Sequence, residues 1–216
     1  MNEFVFPFFN VKDDSDLQAL IWSEPSNLLN TLTTDKLQIN YLLDENEFST
    51  PINWNPDACK YITTDEVDSI SKDKNSLTII QINARSLKKN FEAIKTFISH
   101  FNTPPNVITI AETCLKDHED KFYQISGYCF ISVPRKEKLG GGVGIYVSNI
   151  ISMTIRNDLM ALLSNCCESA AIEISLTNKK SFIVLSIYRP PNNDVHQFNV
   201  HLITYCKTLR QIQIEM

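Results

Sequence analysis

From Leu77 onward, apolar positions recur in two distinct periods. "LTIIQIN" (77–83) and "VITIAET" (107–113) are short, nearly continuous apolar runs, the pattern of buried strands. Between them Leu87, Phe91, Ile94, Phe97, Ile98 and Phe101 recur at three- and four-residue spacing. With Ser86 as N-cap and "NTPPN" as terminator, that spacing predicts an amphipathic helix. A strand–helix–strand unit sets its two strands parallel through a right-handed crossover, so both C-terminal ends face the same way. "YCFISVP", "GVGIYVS", "MTIRND", "SAAIEISL" and "SFIVLSIYRPP" then predict an antiparallel extension of one mixed sheet. A last helix is expected over "VHQFNVHLITYCKTLRQI", with Phe198, Leu202, Ile203, Cys206 and Leu209 along one face. The expected class is α/β (α+β), a mixed β-sheet flanked by helices.

Residues 1–75 show no sustained period. Short apolar clusters such as "ALIW" and "INYLL" sit among Asn, Asp, Ser and Thr, so this stretch is expected to be an acidic, largely disordered region. Short helices are expected within it near Asp16–Trp22 and Asp35–Leu43, and polar "DEVDSISKDKNS" (65–76) marks the boundary with a domain over 76–216. Charge sharpens the division: 14 Asp and Glu stand against 5 Lys in residues 1–75, and 11 against 15 Lys and Arg beyond them. All five arginines lie in the second part, which suits a module that meets an anionic partner. The six cysteines (Cys59, Cys114, Cys129, Cys166, Cys167, Cys206) show neither C-x-x-C nor zinc spacing and read as reduced core thiols. No basic leader and no apolar run of membrane-spanning length is present, so the expectation is a soluble, intracellular protein, nuclear or cytoplasmic, with no membrane partner.

"RKEKLGGGVGIYVS" (135–148) holds four of the five glycines. A phosphate-cradling loop would lead into a helix and a Lys-Ser/Thr pair, whereas Gly144 leads into Ile145, Tyr146 and Val147, which favour a strand. These glycines therefore predict a turn or a close backbone approach. The preceding Arg135, Lys136 and Lys138 are candidates for touching a DNA backbone.

Three polar residues end predicted strands: Asn83, Glu112 and Tyr188. Singly they read as a turn former, a cap and a half-buried aromatic. Together they suit phosphate chemistry: a carboxylate for a hard cation, an amide for a phosphate or water, a phenol for a phosphoryl oxygen.

"TIIQINARSL", "NVITIAETCL", "ISGYCFISVPR", "GGGVGIYV", "ESAAIEI" and "LSIYRPPNND" occur in that order over about residues 76–200. The ordered set resembles the endonuclease/exonuclease/phosphatase superfamily, most closely the endonuclease domain of non-LTR (LINE-type) retrotransposon polyproteins. The resemblance implies an α/β sandwich, Mg2+ (or Mn2+) as cofactor and DNA as partner. It implies Glu112 as a metal ligand, Asn83 as a residue of the metal and phosphate site, and Tyr188 as a contact to the scissile phosphate. Arg85 and Arg189, within "NARSL" and "YRPPN", join the DNA-contact candidates. Arg85 stands where related abasic-site endonucleases have an acidic residue, which favours the mobile-element branch. Two further family words, a "GDFN"-like Asp-x-Asn and a Ser-Asp-His, are absent downstream. Asp44-Glu45-Asn46 matches only by letters, and His196 reads as a surface or capping histidine. The expectation is thus a partial sandwich whose inner sheet face awaits the missing half-domain or another chain. Two readings stay open: a Mg2+-dependent DNA endonuclease incomplete in this chain, or an inactive fragment with at most an interaction role.

Overall fold

In the computed structural model of the chain, residues 6–11, 20–22, 59–62, 77–135, 140–163, 167–175, 181–190 and 193–215 are described. Ten strands appear among them: β1 (Phe6–Val11), β2 (Leu20–Trp22), β3 (Cys59–Ile62), β4 (Leu77–Asn83), β5 (Val107–Ala111), β6 (Tyr128–Val133), β7 (Val143–Ser148), β8 (Ser152–Ile155), β9 (Glu168–Ser175) and β10 (Phe182–Tyr188). The α-helices are α1 (Leu87–Ser99), α2 (Asn157–Leu163) and α3 (Val195–Glu215). No helix among the described residues is long and apolar enough to cross a membrane.

The strands form two sheets, ordered β3-β1-β4-β5-β7-β6 and β2-β10-β9-β8. As expected, β4 and β5 are parallel and joined through α1, with Asn83 opposite Ala111 at their ends. Side-chain alternation then assigns each face. Ile80 and Ile82 of β4 and Ile108 and Ile110 of β5 pack with Leu87, Ile94, Phe97 and Ile98 of α1. Leu77, Ile79, Val107, Val143, Ile145 and Val147 face the other way and meet Ala170, Ile172, Ile174, Phe182 and Val184 of the second sheet. The outer face of that sheet, with Ala171, Ile183, Leu185 and Ile187, is covered by Leu159 of α2 and by Phe198 and Tyr205 of α3. The layers run helix, sheet, sheet, helix.

This corrects two expectations. The downstream strands do not all extend one mixed sheet: β8, β9 and β10 pair among themselves and with β2. The inner face of the first sheet is consequently not left for a missing half-domain or another chain, because β9 and β10 cover it. The largely apolar run of β10 fits that position, since its residues are buried on both faces.

Three strands come from the stretch expected to be largely disordered. β1 and β3 extend the first sheet and β2 runs parallel beside β10, so Leu20–Trp22 is a strand where a short helix was expected. The Asp35–Leu43 helix, Asp44-Glu45-Asn46 and the 65–76 boundary lie outside the described residues. Ser86 occupies the N-cap position of α1 but makes no side-chain cap bond. The Leu87 N–H donates instead to the Thr113 carbonyl (3.0 Å) and the Ser86 N–H to that of Glu112 (2.9 Å), fixing the start of the helix to the chain beyond β5.

Candidate active site at the strand ends

The C-terminal ends of β4 and β5 continue as two hydrogen-bonded segments. Ala84 N–H donates to Ala111 O at 2.9 Å, and the Ser86 and Leu87 bonds follow one after another. On its other side the second segment meets the glycine loop: Thr113 N–H donates to Gly142 O (3.0 Å) and Cys114 N–H to Gly141 O (2.7 Å). Thr113 is thereby gripped from both sides, Glu112 from the side of Ser86 and Cys114 from that of the glycine loop. Four of the five non-glycine residues with positive φ among the described residues fall in these two segments, Arg85 (42°), Ser86 (89°), Glu112 (53°) and Cys114 (52°); the fifth, His118 (66°), lies further along the same loop. Left-handed backbone costs an L-residue about 1–2 kcal/mol and persists only where surrounding structure enforces it. Here the enforcement is the double row of backbone bonds.

The glycine loop behaves as a close-approach element. Gly142 has φ 80°, and a Cβ there would lie 2.5 Å from Thr113 Oγ1; one on Gly141 would fall on the Arg135 guanidinium. Glu168, at the start of β9, accepts from Arg135 Nε and from the Gly142 N–H. Both side chains of that ion pair are largely buried, 18% exposed for Arg135 and 14% for Glu168. The Arg135 guanidinium carbon also lies 5.6 Å from the centre of the Tyr188 ring.

The three sequence candidates share this rim. Asn83 is half-buried and its Oδ1 accepts the Arg85 N–H at 3.0 Å, the turn-forming role of a strand-end Asn. That oxygen keeps a second lone pair. Glu112 follows Ala111, the register partner of Asn83. It is half-buried, and among the described residues its carboxylate has no hydrogen bond or ion pair. Tyr188 is 5% exposed and packs in the same buried cluster as Ala111 and Val143.

Among the DNA-contact candidates, Arg85 is exposed beside Asn83. Arg189 spends Nη1 on the carbonyls of Pro190 (3.2 Å) and Asn193 (2.9 Å). Arg135 is engaged as described above, and Lys136 and Lys138 lie outside the described residues. His196 is exposed in the first turn of α3, where Asp194 Oδ1 accepts its N–H at 2.7 Å. Of the described cysteines, Cys167 is buried but Cys129 is exposed, against the expectation of core thiols.

Sequence reasoning passed over Glu168, Thr113 and Cys114. Burial, and next the Glu112 carboxylate, push the Cys114 thiol up from its ordinary value. Glu168 did leave a signal: it shares strand parity with Ala170, Ile172 and Ile174, all inward-facing. No group of three or more His, Cys, Asp or Glu that could hold a metal occurs among the described residues. A site for Mg2+ needs less, since that ion commonly keeps several waters and takes one or two carboxylates plus substrate phosphate. Glu112 and the free lone pair of Asn83 Oδ1 are donors of the right kind.

The architecture defines an α/β protein of two packed sheets with a strained, polar rim at the ends of its parallel strands. Compared with known proteins, the chain matches no family model and no curated sequence.

Proposed function

We propose that this rim is the cation- and phosphate-binding part of a Mg2+-dependent phosphodiesterase site acting on DNA, of the retrotransposon endonuclease type. One observation carries the reading: four of the five left-handed non-glycine residues described, Arg85, Ser86, Glu112 and Cys114, lie within three residues of the ends of β4 and β5. Ligand sites of α/β sheets gather beyond the carboxyl ends of such strands, and stored backbone strain clusters at functional positions. Glu112 and Asn83 would hold the cation, which would supply charge neutralisation for the phosphodiester. Arg85 would take a neighbouring phosphate of the backbone. Tyr188 would offer its hydroxyl to the phosphoryl group, its ring held by Arg135.

A second reading is favoured by a specific feature. Glu168, the carboxylate that β9 brings to the glycine loop, is held by Arg135 and the Gly142 N–H and is not free to activate water. On that reading the chain binds DNA without cleaving it. A calorimetric Mg2+ and Mn2+ titration with a DNA oligonucleotide present tests the shared part of both readings. Binding in the wild type that is lost in Glu112→Gln supports the cation site; equal binding by both proteins rejects it.

A further inference from the structure

We infer that Glu168 is a positioning residue for the rim, a latch by which the second sheet sets the backbone of Glu112, Thr113 and Cys114; this rests on the cation-site reading above. The carboxylate reaches across from β9 and accepts from two donors at once, the Gly142 N–H and Arg135 Nε. Each donor leads to the rim by a separate route. Gly142, held at φ 80°, presents its carbonyl to Thr113 N–H, and the neighbouring Gly141 presents its own to Cys114 N–H. Arg135 lies over the Tyr188 ring, and the same guanidinium fills the space that a side chain at Gly141 would need.

Glu168 and Tyr188 are also register partners across β9 and β10, so the latch and the site tyrosine sit side by side on one strand pair. One carboxylate thus joins the glycine loop, the Glu112 segment and Tyr188. Thr113 is fully buried, and its Oγ1 has no hydrogen-bond partner among the described residues. Its place is set by the backbone row and not by its own side chain. Gly141 holds the N–H of Cys114, at a left-handed φ of 52°, and Gly142 holds that of Thr113, which follows Glu112 at 53°. Replacing the carboxylate by an amide leaves one acceptor oxygen for two donors, so the Gly142 N–H or the Arg135 Nε loses its partner and the latch slackens.

The test is amide hydrogen exchange of the full chain, read at Thr113 and Cys114 and, as a gauge of global opening, at Ile145 and Val147 inside β7. Glu168→Gln is expected to speed exchange at Thr113 and Cys114 about tenfold or more, with Ile145 and Val147 changed by less than about threefold. Glu173→Gln, which breaks the Arg156 pair on the same strand, serves as control and leaves Thr113 and Cys114 slow. Should Glu168→Gln fold poorly, Glu168→Asp keeps the charge but shortens the reach and is expected to show the same local loosening. Unchanged exchange at Thr113 and Cys114 in Glu168→Gln, or equal acceleration at all four amides, overturns the latch. Mn2+ titration of the same proteins separates the two ideas: wild-type binding weakened at least tenfold by Glu168→Gln supports both. A wild type that binds no Mn2+ rejects the cation site and leaves exchange alone to decide the latch.

Discussion

The Arg135 guanidinium carbon lies 5.6 Å from the centre of the Tyr188 ring while its Nε donates to Glu168. A residue expected as a surface contact for DNA is thus mostly spent inside the protein, between the sheets. Its Nη2 is buried and has no hydrogen-bond partner among the described residues.

Arg135→Ala should therefore act on stability first. It strands the Glu168 carboxylate in a site only 14% exposed, and breaking a largely buried pair costs about 3 kcal/mol. Urea denaturation of the two proteins measures this directly. A loss below about 0.5 kcal/mol would show the pair to be a surface contact in solution.

Gly142→Ala and Gly140→Ala separate backbone strain from collision. Both positions have positive φ, 80° and 86°, but a Cβ at Gly140 meets nothing within 4 Å while one at Gly142 strikes Thr113 Oγ1. Gly140→Ala should cost about 1 kcal/mol and Gly142→Ala at least about 2 kcal/mol. Adding Thr113→Ala to Gly142→Ala should recover part of the difference, which a double-mutant cycle in urea would register.

Alkylation with iodoacetamide reads the ground beside Glu112. Exposed Cys129 should react before Cys114, whose thiol is raised chiefly by burial and then by the Glu112 carboxylate. Glu112→Gln removes that negative charge, lowers the Cys114 pKa and should speed its labelling near pH 8. Labelling at an unchanged rate would mean that the two groups are not neighbours.

The acid limb of stability should depend on a cluster around Arg156. The Ser181 hydroxyl, and then Arg156 at 2.8 Å, hold the Glu173 carboxyl below its ordinary value, and Arg156 does the same for Asp158. A carboxyl whose pKa is lower in the folded chain stabilises it above the unfolded value and loses that contribution as pH falls through the folded one. Stability should accordingly decline as pH drops below about 4.5, the ordinary glutamate value. Arg156→Gln should make the decline shallower. Urea midpoints measured from neutral pH to about pH 3 test the slope, and identical slopes in both proteins would exclude Arg156 as its source.

Much of this fold was legible where periodicity is strong. The β4–α1–β5 unit follows from the apolar runs and from the spacing of Leu87, Ile94, Phe97 and Ile98, all buried. Parallel pairing of β4 and β5 then placed Asn83 and Glu112 on one rim. The second sheet was not legible as a sheet, because an apolar run such as "FIVLSIY" announces burial without saying which neighbour it pairs with. β1 was hidden because residues 1–75 show no sustained period; in the structure its Pro7 lies opposite Tyr61 of β3, outside the residues that pair with β4. Glu168 escaped notice for a related reason. An inward-facing acid at a strand start acquires meaning only once the loop and the arginine it meets are placed in space.

Nicking of supercoiled plasmid is the most direct measurement of the central claim. With Mg2+ present, the folded wild type should convert supercoiled to open-circular DNA, EDTA should stop it, and Glu112→Gln should lower the rate by on the order of 10³ or more. No conversion by a monodisperse, folded wild type, or conversion that Glu112→Gln leaves untouched, would contradict it.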